Sequence, residues 1–119
     1  MPESPEPASY SNDSPVARLA NTLLRTALES GARELSLVPT SGGRVDFVTP
    51  SKTLSLPGHL RAGLIARFKE QAQLDLLVTA QSQTGRFPLN YERRQKVEIE
   101  VTTEPSPYGE GIRARLISE

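Results

Sequence analysis

The chain has 119 residues, no net formal charge, 36% hydrophobic residues and no cysteine, enough for one domain around one modest core. Without cysteine there is neither a disulfide nor a thiolate metal site, and the single His59 assembles no imidazole cluster, so no metal is expected. No apolar run approaches the roughly 20 residues of a membrane helix, and the start, MPESPEPASYSNDS, lacks the basic and apolar regions of a secretory signal, so a soluble cytoplasmic protein without membrane insertion is expected.

Residues 1–14 are rich in Pro, Ser and Glu, with Tyr10 their one aromatic, and cannot offset the entropy of ordering themselves. A disordered tail is therefore expected at 1–14, followed by a single folded domain at 15–119. The tail carries Glu3, Glu6 and Asp13 and no cation, which leaves a small positive excess in the rest. At the boundary, the Ser14 hydroxyl can accept from free helix amides, and the fixed φ of Pro15 suits a first helical position. Val16, Leu19, Ala20, Leu23, Leu24, Ala27 and Leu28 then recur at three- and four-residue steps, which predicts an amphipathic helix ended by Gly31.

Leu35 and Leu37 alternate with Glu34 and Ser36, residues 39–43 turn the chain, and Val45 and Phe47 continue on the core side of a second strand. Residues 53–56 add a short third strand. Pro57-Gly58 opens a second helix that buries Leu60, Leu64, Ile65, Phe68 and Ala72, with Arg61, Arg67, Lys69 and Glu70 off that stripe. Three closing strands come next, with Phe87, Leu89 and Tyr91, then Val97, Ile99 and Val101, then Ile112, Ala114 and Leu116 on their inner sides. This order predicts an α+β sandwich: a largely antiparallel sheet of five to six strands with two main helices packed against it.

Chemistry-bearing patterns are sparse. Neither GxxxxGKS nor GxxxxGKT occurs, so these residues contain no phosphate-cradling loop of that kind. Arg93, Arg94 and Lys96 cluster beside Tyr91 but are flanked by Glu92 and Glu98, which reads as a solvated strand edge, and no nucleic-acid partner is expected. Glu98 and Glu100 share one strand face where solvation is the default, and His59 has no evident nucleophile beside it. No catalytic residue is expected.

From Pro15 to Ile117 the strings PVARLANTLL, GARELSLVP, RFKEQAQLD, QTGR and VTTEP, the last succeeded by Gly109-Glu110 and Arg115, keep a characteristic order and spacing. The stretch resembles the second N-terminal domain of the type II secretion and type IV pilus assembly ATPases, whose pattern runs PVVRLVNLIL, GASDIHIEP, RLKxMAxLD, RRLP, QDGR and RVSTxPxxxGExxxxR. The resemblance implies a PAS-like α+β domain that packs on a neighbouring subunit's catalytic core, where its arginines approach bound phosphates. Thr79, Ala80, Gln81 and Ser82 stand where that pattern has RRLP, and Glu34, Ser36 and Val38 replace its acidic, histidine and glutamate positions.

Arg86 is retained, and with Arg67, Lys69 and Arg115 it makes up the candidate set of interface or phosphate-facing residues. Plainer roles stand beside these. Arg86 reads as exposed or ion-paired, one of Arg67 and Lys69 as a surface cation and the other as an interface edge, Gly85 as a turn entering a strand, Asp75 as a cap or bend after the second helix, and Glu110 with Arg115 as a structural pair. Taken with these replacements, the resemblance implies a cofactor-free, non-catalytic interaction module, monomeric or weakly oligomeric, docking on a secretion or pilus ATPase or another component of the machine. The other reading is a PAS-like sensor of a small ligand or nucleotide held between sheet and helix and read by Arg86 and Arg115.

Removing residues 1–13 is expected to leave the melting temperature nearly unchanged, because no apolar face leaves with them. Removing Leu116 onward is expected to lower it by many degrees. Thermal denaturation monitored by circular dichroism checks both, and a fall of several degrees on tail removal would show that the leader packs on the domain.

Overall fold

The computed structural model describes residues 14–91 and 95–118, so the expectations for the leader and for Arg93 and Arg94 fall outside the described residues. Helix α1 spans Pro15–Glu29, strands β1 to β3 span Glu34–Pro39, Val45–Thr49 and Lys52–Leu56, and a 3-10 turn at Gly58–Leu60 leads into α2, Arg61–Gln71. Strands β4, β5 and β6 lie at Thr84–Tyr91, Gln95–Ser106 and Gly109–Ser118. The predicted α+β class holds: the described residues form two α-helices, a 3-10 turn and one antiparallel sheet of six strands.

Each set of three strands is a meander, and the two are joined by pairing of β1 with β6, which gives the order β3-β2-β1-β6-β5-β4. The last strand in sequence therefore lies in the middle of the sheet. Both helices cover one face, where Leu35, Phe47, Ile99, Val101 and Ile112 pack with Leu23, Leu64 and Phe68 into a single apolar core. The opposite face carries the alternate positions of the same strands, including Ser36, Arg86, Glu100, Arg113 and Arg115.

Local chemistry explains the helix ends. The Ser14 hydroxyl accepts from the Ala17 amide at 3.0 Å and is buried, so Ser14 is part of the folded unit. At the far end Gly31 takes φ +87°, letting the Ala32 amide reach the Ala27 carbonyl and its own amide the Leu28 carbonyl, both at 3.0 Å. Helix α2 closes with the same pair of bonds, Leu74 to Lys69 at 2.8 Å and Gln73 to Glu70 at 3.1 Å. Here the left-handed residue is Gln73, at φ +61°, whose Cβ makes that conformation costly.

Two sequence expectations are corrected. Gly85 is not in a turn but inside β4, opposite Val101. A Cβ there would run into the Ala72 carbonyl oxygen and come within 2.9 Å of Leu74 Cδ2, so glycine is what lets β4 lie against the end of α2. Strands β5 and β6 are also longer than their apolar alternation suggested, because the ladder continues through polar Glu104 and Glu110 to a tight turn at Pro107-Tyr108.

Gly85→Ala is expected to destabilise the fold by about 1–3 kcal/mol through that overlap, whereas Gln73→Gly is expected to stabilise it by about 1 kcal/mol by relieving the left-handed residue. Urea denaturation of the two variants measures both, and the opposite signs are the test.

Candidate interaction surfaces

The four candidate cations separate into two places. Arg67 and Lys69 lie on α2 with only 7% and 1% of their surface exposed, so the reading of either as a surface cation is corrected. The Lys69 ammonium donates to both carboxylate oxygens of Glu110, each at 3.0 Å, and to the Val78 carbonyl at 2.8 Å, which uses all three of its protons. Arg67 reaches Glu70 Oε1 one turn on, at 3.4 Å. The expected Glu110–Arg115 pair does not form. The two residues are an odd number of positions apart on β6, so Glu110 points to the helices and Arg115 to the opposite face.

Around the Lys69–Glu110 pair, the segment between α2 and β4 is held at several points. The Asp75 carboxylate accepts from the Leu77 amide at 2.9 Å, so Asp75 bends the connection as expected. The Gln83 side chain brackets Asp75, accepting from its amide at 2.9 Å and donating to its carbonyl at 3.0 Å. Gln83 is in turn fixed to buried Thr103, whose hydroxyl accepts from the Gln83 amide at 2.8 Å. Lys69, Asp75, Gln83, Gly85, Thr103 and Glu110, which carry much of the resemblance, thus meet at one loop.

Arg86 and Arg115 sit on the uncovered face of the sheet in one cross-strand row, Arg86 opposite Glu100 on β5 and Arg115 opposite Glu100 and Glu34 on its two sides. Both reach Glu100, at 3.5 Å and 3.3 Å, and about half of each arginine side chain stays exposed. Arg113 pairs with Glu104 at 2.6 Å on the same face. Such exposed pairs contribute about 0–1 kcal/mol each, so these guanidinium groups remain free to exchange partners. Glu100 shares that face with them and is half-buried between neighbouring strands, not fully solvated.

The space between the helices and the sheet is filled by Leu35, Leu37, Phe47, Leu64, Phe68 and Ile99, each almost fully buried. A ligand between sheet and helix would have to displace this core. Among the described residues, no group of three His, Cys, Asp or Glu side chains is placed to hold a metal ion, and no helix is long and apolar enough to cross a membrane.

No family model matches the chain. Its full length is 30% identical to the type II secretion system protein HxcR of Pseudomonas aeruginosa and 32% identical to the type II secretion system protein E of the same organism, covering 26% and 24% of those proteins. It is 28% identical to the type IV pilus assembly ATPase PilB of that organism over 92% of its own length and 20% of PilB. In these proteins the matched stretch is the N-terminal region, not the catalytic core. Over its whole length the chain matches the N-terminal region of secretion and pilus ATPases. It spans about a quarter of the length of the relatives it matches.

Set against the secretion-ATPase pattern, the lysine of RLKxMAxLD and the glutamate of PxxxGE are the two halves of the buried ion pair, here Lys69 and Glu110. Sequence reasoning places these residues on separate elements without joining them. The signal that could join them is their joint retention, opposite in charge, in a chain that lacks the neighbouring RRLP arginines.

Lys69→Ala is expected to cost about 3–5 kcal/mol of folding stability, because it leaves the Glu110 carboxylate buried without its cation. Pairing Lys69→Met with Glu110→Leu is expected to recover most of that loss, since an apolar pair of similar volume replaces both charges. Urea denaturation of the single and double variants checks the coupling.

Proposed function

We propose that this chain is a non-catalytic docking module of a type II secretion or type IV pilus machine, acting in the cytoplasm as a PAS-like domain of residues 15–119. The observation that carries this reading is the match over the whole chain to the N-terminal region of secretion ATPases, a stretch outside their catalytic core. The uncovered sheet face supports it further. It presents Arg86 and Arg115 on a rigid backbone, both half-exposed and sharing one carboxylate, so an incoming acidic or phosphorylated surface can take over either guanidinium at little cost.

In this reading the partner is a secretion or pilus ATPase or another component of the same machine, and the module is a monomer or weak oligomer until it docks. Arg86 and Arg115 make the contact. Arg67 and Lys69 serve it from inside by holding α2 and the loop after it in place. Thr79 and Ala80, where the family pattern carries two arginines, remove charge from the loop, so the half-exposed arginines of the outer face are the ones left to make the contact.

The test is the association of this chain with a purified, complete secretion ATPase at low and physiological salt, measured by calorimetry. Arg86→Ala together with Arg115→Ala is expected to weaken binding by about tenfold or more and to flatten its salt dependence. Absence of association at every salt concentration would sink the proposal.

A further inference from the structure

A hollow of about 350 Å³ lies on the flank of α2, between the loop after that helix and the β5–β6 hairpin; Arg61, Ala62, Ile65, Leu76 and Thr79 are among the residues that line it. It shares Thr79, Gly109 and Glu110 with a second, shallower hollow of about 520 Å³ that runs on past Ala80 toward Pro105 and Pro107. Both walls are braced. The loop is held through Lys69, Asp75 and Gln83, and the hairpin is tied by the Ser106 hydroxyl, which donates to the Gly109 carbonyl at 2.7 Å and accepts from the Tyr108 amide at 3.2 Å. Leu77 in the loop and Tyr108 in the hairpin are two of the large apolar side chains most exposed to water, and both lie outside the lining of the hollow.

The charges in the hollow do not cancel. Glu110 is matched by Lys69, whereas Arg61 gives one N–H to the Tyr108 carbonyl at 2.9 Å and has no carboxylate partner among the described residues. The result is an apolar trough of ligand-binding size, held open, with one net positive group on its wall. It opens where this chain differs from the family pattern. Thr79, small and neutral, lines it where the pattern has an arginine, and Ala80 lines the adjoining hollow.

The geometry points to a binding site for a small anionic amphiphile, a monocarboxylate whose head pairs with Arg61 and whose apolar body lies on Ala62, Ile65 and Leu76. A guanidinium offers a planar, permanently charged fork to both oxygens of such a head. The site lies on the helix flank, away from Arg86 and Arg115, so failure of docking through the sheet face leaves it standing.

The experiment titrates the ¹⁵N-labelled chain with hexanoate, and separately with its neutral isostere hexanamide, tracking amide chemical shifts. Hexanoate is expected to bind saturably in the millimolar range and to move the amides of Ala62, Leu76, Thr79 and Gly109, with hexanamide weaker by about tenfold. Arg61→Gln is expected to remove that difference. Thr79→Trp, at an exposed position, is expected to block both ligands while leaving the rest of the spectrum and the melting temperature unchanged. Equal affinity for the two isosteres, shifts centred elsewhere, or indifference of hexanoate binding to both substitutions overturns the assignment.

Discussion

The ammonium of Lys69 has three protons and three acceptors, and the arrangement of α2, the loop after it and β6 depends on that match. An isolated buried ammonium carries a desolvation penalty of several kcal/mol, which only close, complete pairing offsets; here two carboxylate oxygens and one carbonyl lie within 3.0 Å. The three acceptors come from two distant parts of the chain, Val78 nine residues on and Glu110 forty-one residues on. Because no acceptor can be lost without stranding charge, the pair permits one spacing of helix, loop and strand. A compact ammonium suits this geometry better than a guanidinium, whose planar fork would need acceptors in its own plane.

From that anchor the two faces of the sheet take different characters. On the helix side, Lys69 and its acceptors are held in place, and Gly85 allows β4 to approach the end of α2 without a side chain between them. On the opposite side, charges sit in rows across the strands, each arginine beside a glutamate, with about half of its surface in water. The inner network defines shape and contributes stability. The outer pairs contribute little stability and are replaceable, which is the property a contact surface needs.

Much of the fold is legible in the sequence because periodicity reports burial directly. The stripe from Val16 to Leu28, the alternation at Leu35 and Leu37, and the closing strands at Val97 to Val101 and Ile112 to Leu116 all lie where their patterns put them. Helix α2 is harder, since two of its buried side chains, Arg67 and Lys69, are cations, and a stripe drawn from apolar residues alone leaves them outside. Charge at those positions signals solvent only when no buried counter-ion exists, and the counter-ion of Lys69 lies on another element. The Glu110–Arg115 expectation fails for a simpler reason: residues an odd number apart on one strand face opposite ways, so nearness in sequence sets them on different sides of the sheet. Arg61 gives no signal in the sequence because its setting is made by a helix flank and a hairpin that meet only in three dimensions.

The central place of β6 links these observations. Its neighbours are β1, from the start of the domain, and β5, so neither meander has its full set of partners until the last strand is inserted. Glu110, Arg113 and Arg115 all arrive on that strand. The buried pair, the outer charge row and the wall of the trough are therefore completed by one event that closes long sequence separations, and long-range pairing of this kind gains its contacts only after the loop-closure entropy has been met. A chain that stopped short of residue 109 would lose Ile112 and Ala114 from the core and one pairing partner of β1, and it would leave Lys69 without its carboxylate. The surfaces assigned to binding exist only in the completed domain, which ties whatever this module recognises to its being fully folded.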